Sequence, residues 1–232
     1  MSSTTADLQH GHGHDPNSPE SDPHFQHHFT TMEQQFDTSK IGMWLFLVTE
    51  VLTFGGLFAG FGLLQAKYPQ EFIEAHEHLQ RLAGAGNTVV LLFSSFTMVM
   101  AVLSAKSNQK EKTVRYLWMT VACALIFLCV KAYEYNHKFE EGLLPGFWYH
   151  HEGDLIKGSH GYASFFSFYF MMTGIHGIHV LIGMGLIFWV MRRAIKGEFS
   201  ERYYAPVENV GLYWHLVDLV WIYLFPLLYL IG

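Results

Sequence analysis

The sequence predicts an all-α, polytopic membrane bundle of five transmembrane helices. Three observations predict it. Half of the 232 residues are hydrophobic and only 15% are charged, against about 25% charged in soluble domains. The deficit is uneven: the first 40 residues are polar and the rest falls into long apolar runs. Those runs are long enough to cross a bilayer, since roughly 20 helical residues cover about 30 Å of hydrocarbon. The net charge of −6 and the absence of a basic block give no footprint for nucleic acid. No secretory signal is expected, because the start lacks a basic stretch followed by an apolar core.

Residues 1–40 read as a disordered, His-rich tail with little aliphatic content to bury. His10, His12 and His14 alternate with glycine, and His24, His27 and His28 follow. Such a tract offers a weak site for a divalent metal; the plainer reading is a solvated tail with adventitious affinity.

The membrane part is expected over residues 41–232. Its spans are predicted at about 41–66, 87–105, 116–135, 163–191 and 209–232. The first carries Thr49, Glu50 and Thr53 inside an apolar run, with Gly56/Gly60 and Gly55/Ala59 as close-packing pairs. In the loop that follows, Phe72, Ile73, Ala75, Leu79 and Leu82 predict a short helix lying on the membrane surface. The second span has no charge. The third ends near Lys131 and Glu134, three apart and able to pair along one face, with Lys138 a second partner for Glu134. Cys123 and Cys129, six apart on that span, point to different sides and form no disulfide. Phe147, Trp148 and Tyr149 in the next loop suit a membrane interface. The fourth span contains His176 and His179 among Thr173, Gly174, Gly177 and Gly183; ionisable groups at such depth face protein, and the small residues invite a neighbouring helix. The fifth contains His215, Asp218 and a kinking Pro226.

Basic residues set the orientation. Lys106, Lys110, Lys112 and Arg115 follow the second span, and Arg192, Arg193, Lys196 and Arg202 follow the fourth. The other loops are poorer, so these two are expected in the cytoplasm, with the N-terminus inside and the C-terminus outside. Counted from the inner ends of their spans, Glu50 and Asp218 each lie roughly 13 Å deep, His179 roughly 18 Å and His176 roughly 22 Å. These groups are expected to form a polar band near mid-membrane, with Glu134 nearer the outer interface. Either the band locks helix packing through mutual hydrogen bonds, or it carries a chemical role. His176 and His179 are spaced so that one helix can present both to an ion, but no Glu-x-x-His or HExxH pattern accompanies them. No nucleophile–base pair stands out for a hydrolase, and no internal repeat of broken helices for a transporter.

Five stretches in order resemble subunit III of the haem-copper oxidases, the cytochrome c oxidase type: Trp44–Phe54 (WLFLVTEVLTF), Asn87–Thr88, Lys131–Tyr135 (KAYEY), Thr173–Val180 (TGIHGIHV) and Tyr213–Trp221 (YWHLVDLVW). The resemblance covers about residues 41–232. It implies the short five-helix bacterial form, lacking the first two of seven helices, in the bacterial inner membrane. It further implies a non-catalytic accessory subunit of an aa3- or caa3-type oxidase, packed on catalytic subunit I and near subunit II. No cofactor is then expected in this chain, with haem and copper in the partner subunits. Bound phospholipid is expected too, with Lys131, Arg192 and Arg193 as head-group candidates. Glu50 matches the family's membrane-buried glutamate, which is expected to be paired or uncharged because desolvation disfavours the ion. Asp218 and His215, one turn apart, are expected to tie the last helix to the bundle. A quinol oxidase, or the related protein that accompanies nitric oxide reductase, shares the fold; a stand-alone transporter is the reading from a different class.

Overall fold

A computed structural model describes residues 25–26, 29–76, 79–140, 160–201 and 203–230. The His-rich tract at His10, His12 and His14, the aromatic loop at Phe147–Tyr149 and Arg202 lie outside the described residues. The elements are α1 (Met32–Lys67), α2 (Pro69–His76), α3 (Arg81–Lys106), α4 (Lys110–Glu140), α5 (His160–Lys196) and α6 (Ala205–Tyr229). All except α2 are long and apolar enough to cross a membrane.

Each span is longer than its apolar run, because backbone hydrogen bonding continues past the hydrophobic boundary wherever capping or tertiary contact supports it. The expected disordered tail is corrected here, since its last nine residues belong to α1. Thr31 caps that helix by accepting from the Gln34 amide. Beyond it, Lys40 pairs with Glu208 at 2.9 Å and Asn209 donates to Ser39 at 2.6 Å. Polar composition alone does not register such contacts with α6. At 36 residues α1 is about 54 Å long, well beyond the hydrocarbon thickness.

Helices α3, α4, α5 and α6 form a closed four-helix ring, each packed on two neighbours, while α1 lies outside it against α5 and α6. The α3–α4 connection is tight and turns through Asn108 at φ 54°, a conformation asparagine tolerates. Gly197, at φ 75°, ends α5. Lys106 stands 5.6 Å from the Tyr204 ring, so the two basic connections lie at the same end. The ring's core is aromatic, with Trp214, Trp221 and Phe127 fully enclosed.

Helix α1 buries only Leu47, Phe54 and Phe61. They recur every seven residues, which gives a single narrow seam. Trp44, Leu45, Val48, Val51 and Leu52 face outward. The short helix α2 exists as expected, but its apolar face is not free for a membrane surface. Phe72 and Ala75 are buried, with the Phe72 ring 5.1 Å from Phe61 and 5.3 Å from Phe165.

Of the glycines expected to admit close helices, few do so. A Cβ on Gly55, Gly56 or Gly177 would meet nothing within 4 Å, and one on Gly174 would just reach the Tyr135 hydroxyl. On Gly183 it would sit 2.8 Å from the Trp214 ring. That position leaves no room for a side chain against the α6 tryptophan.

Lys131 and Glu134 pair as expected, at 3.0 Å, but inside the bundle. The Lys131 ammonium also donates to the hydroxyls of Tyr229 (2.9 Å) and Tyr169 (3.2 Å). Both hydroxyls in turn donate to Glu134 Oε1, at 2.6 and 2.8 Å. All three ammonium protons are thereby used, and the rings of Tyr135 and Trp221 lie within 5.5 Å of the charge. This corrects one expectation. Glu134 is 2% exposed, enclosed by the bundle, and Lys131 has no donor left for a phospholipid head group. Spacing along one helix does not reveal the tyrosines that α5 and α6 bring to the pair. Lys138 stands instead over the rings of Phe166 and Tyr169.

Two outcomes test this packing by denaturant unfolding of the purified protein. Gly183→Ala should cost about 1–3 kcal/mol by overpacking against Trp214, while Gly177→Ala stays near neutral. Lys131→Met should cost about 3–5 kcal/mol by stranding the Glu134 charge, and adding Glu134→Gln should recover much of the loss.

Candidate functional site

The expected mid-membrane band resolves into separate sites rather than one cluster. Among the described residues no three His, Cys, Asp or Glu side chains converge. The two histidines of α5 point to different neighbours.

His179 meets Glu50. Its Nε2 lies 3.0 Å from Glu50 Oε2, joining α5 to α1, and its Nδ1 lies 2.8 Å from the Ile175 carbonyl. A carbonyl only accepts, so Nδ1 carries a proton. The Nε2–Oε2 contact then needs one further proton, held formally on either partner. Imidazolium–carboxylate and imidazole–carboxylic acid are the two descriptions, and both leave the pair neutral overall. Phe54 packs edge-on against the imidazole at 5.3 Å, and Tyr213 donates to the His179 carbonyl at 3.1 Å. The pair lies on the wall of a cavity of about 480 Å³ between α1, α5 and α6, otherwise lined by groups such as Met43, Phe46, Ile182 and Leu186.

His176 is 1% exposed and lies between the Phe127 and Trp221 rings, at 5.6 and 5.4 Å. Neither ring nitrogen has a hydrogen-bond partner among the described residues. Its neighbour Trp221 donates to Thr88 at 3.1 Å.

Asp218 and His215 do tie the last helix to the bundle, and the helix they reach is α3. Ser95 Oγ is 2.7 Å from His215 Nδ1. Ser94 Oγ is 3.5 Å from Asp218 Oδ2 and accepts from the Trp214 indole at 3.0 Å. His215 also borders a second cavity of about 370 Å³ between α1 and α6, with Trp44, Val51 and Leu216.

The head-group candidates divide. Arg192 is exposed, whereas Arg193 folds back on Glu198 at 2.6 Å and Tyr203 at 3.1 Å. The groups that sequence reasoning missed are hydroxyls: Ser94, Ser95, Tyr169 and Tyr229, while Thr88 and Tyr213 entered it only as parts of the family-like stretches. Their signal was present in the second span, where Thr88, Ser94, Ser95 and Thr97 interrupt an apolar run with no charge to account for them.

Comparison with known proteins bears on this arrangement. A family model described as cytochrome c oxidase subunit III matches residues 154–232. Cytochrome c oxidase subunit 3 of Synechocystis is 33% identical over 196 residues, covering 84% of this chain and 76% of the relative. The protein of that name from Thermostichus vulcanus is 32% identical over 198 residues, covering 84% and 88%. A probable quinol oxidase subunit 3 of Staphylococcus epidermidis is 31% identical over 205 residues, covering 84% and 90%. With five apolar helices and bacterial relatives along most of its length, this multi-pass bacterial membrane protein belongs to the subunit III family of the haem-copper oxidases.

Proposed function

We propose that the chain is the non-catalytic accessory subunit of a respiratory aa3- or caa3-type cytochrome c oxidase in the bacterial inner membrane, with its N-terminus inside. In this reading it packs on the catalytic subunit, next to subunit II. The haems and copper of O2 reduction belong to those partners. The chain binds phospholipid and supports proton uptake and turnover stability. The naming of the Synechocystis and Thermostichus relatives supports the cytochrome c type.

The observation that carries the reading is the cavity beside Glu50 and His179. It is apolar and open along α1, as an acyl chain requires, and the proton-sharing pair stands on its wall. Arg192, exposed at the end of α5, supplies a cation for a phosphate head group. A quinol oxidase is the second reading, favoured by the staphylococcal relatives.

Purification in mild detergent through a tag on this chain tests the assignment, with a reduced-minus-oxidised spectrum and mass spectrometry of partners. Haem a bands with a catalytic haem-copper subunit are expected. Haem b bands alone would move the chain to a quinol oxidase or to a nitric-oxide-reductase-associated protein. A colourless protein without partners would overturn the subunit reading in favour of a transporter.

A second outcome concerns Glu50. Glu50→Gln keeps one hydrogen bond to His179 but removes the shared proton. The complex should assemble with its haems, while the number of turnovers before inactivation falls several-fold. An unchanged lifetime and proton-uptake rate would make Glu50 a packing residue only.

A further inference from the structure

We propose that His76 and Arg81 form a pH-sensitive latch, which holds the first turn of α3 in place and opens when the imidazole takes up a proton. Three observations carry it. First, the hydrogen bonds of His76 allow it a single form. The residue ends α2 and is 2% exposed. Its Nδ1 lies 2.5 Å from the Ile73 carbonyl, and its Nε2 lies 2.7 Å from Arg81 Nη2. A carbonyl only accepts and a guanidinium only donates, so Nδ1 carries the proton and Nε2 is bare. A proton on Nε2 would set two N–H donors and two positive charges face to face.

Second, Arg81 occupies an unfavourable place. It is the first residue of α3, whose N-cap Gln80 makes no side-chain hydrogen bond and whose first turn holds no acid. A cation at a helix N-terminus opposes the helix dipole. Among the described residues no carboxylate pairs with it. The bare imidazole nitrogen is its acceptor. Third, the turn that Arg81 begins is tightly packed. Gly84 donates to the Gln80 carbonyl at 3.1 Å, and a Cβ on Gly84 would sit 2.8 Å from the Phe225 ring and 3.1 Å from Tyr229. Tyr229 is a donor to Glu134, so the latch bears on the helix end that closes the buried ionic network.

Other titratable groups at this end are Glu71 and Glu74 of α2, Lys67 and Tyr68 of α1, and His160 and Tyr162 of α5. None of them hydrogen-bonds or pairs with His76 or Arg81. Glu77 and His78 lie outside the described residues. Opening needs only water: a proton binds Nε2, the Arg81–His76 hydrogen bond breaks, and the guanidinium turns to the solvent beside it. Helix α2 stays seated, because Phe72 and Ala75 are buried. The contact is present at neutral pH and lost in acid, since histidine changes charge between about pH 5 and 8. The start of α3 lies at the opposite end from Lys106 and the basic connections. On the orientation proposed above, on which this sidedness alone rests, the latch faces the outer side.

Hydrogen exchange read by mass spectrometry tests the proposal on the full-length protein in mild detergent, where both ends meet the buffer whatever the orientation. After correction for the intrinsic pH dependence, exchange at Leu79 and Gly84 should rise roughly fivefold on acidification across the histidine range, the scale of losing one hydrogen bond. His76→Gln keeps an acceptor for Arg81 and does not titrate, so the rise should vanish. Arg81→Gln removes the opposing charge and carries the same expectation if the first variant does not accumulate. His78→Asn should respond as wild type does. Exchange without an acid-induced rise in the wild-type protein would overturn the proposal. So would a wild-type rise in His76→Gln or Arg81→Gln, or its loss in His78→Asn.

Discussion

The Lys131–Glu134 pair is the constraint on which the four-helix ring depends. Two opposite charges removed from water are tolerated only when their remaining hydrogen-bonding capacity is satisfied. α4 supplies both charges but cannot satisfy them. Tyr169 from α5 and Tyr229 from α6 complete the set, each accepting from the ammonium and donating to the carboxylate. Three helices are therefore fixed in rotation and depth by one closed network. The aromatic lining follows from it, because Trp221, whose ring lies 5.2 Å from the ammonium, also packs against Phe127 and His176 and reaches α3 through Thr88.

Helix α1 is held by different means. Its apolar contact is a single seam, and its specific links are polar: Ser39–Asn209 and Lys40–Glu208 at one end, and Glu50–His179 within the span. A narrow seam between convex surfaces leaves grooves on both sides, and both grooves carry a histidine. One imidazole shares a proton with a carboxyl of α1. The other hydrogen-bonds a serine of α3. The polar chemistry of the bundle is thus concentrated where its packing is thinnest.

Much of this was legible in the sequence. Five apolar runs matched the five helices able to cross a membrane, and the motifs around Glu50, His176, His179, His215 and Asp218 pointed to the family. The ends of the helices were not legible. Residues 32–40 look like tail by composition, and only α6 explains why they are helical. Axial spacing along a helix was readable at 1.5 Å per residue, whereas rotation about its axis was not. That is why Lys131 was expected to face head groups and the polar residues to form one band. Gly177 and Gly183 look equivalent in sequence, yet only Gly183 meets a tryptophan. The partners chosen by polar groups come from residues on distant helices, and one chain without aligned relatives carries no signal for them.

The reach of the contacts made by α1 also governs the order in which the protein is built. Glu50 finds His179 across 129 positions of chain, and Ser39 finds Asn209 across 170. A ribosome adding roughly 5–20 residues per second delivers those partners many seconds after the first helix has emerged. During that interval Glu50 sits in the bilayer without its imidazole, and α1 has little to rest on. Of the six helices α1 therefore waits longest for its partners, and a nascent chain halted before α5 carries Glu50 unmatched.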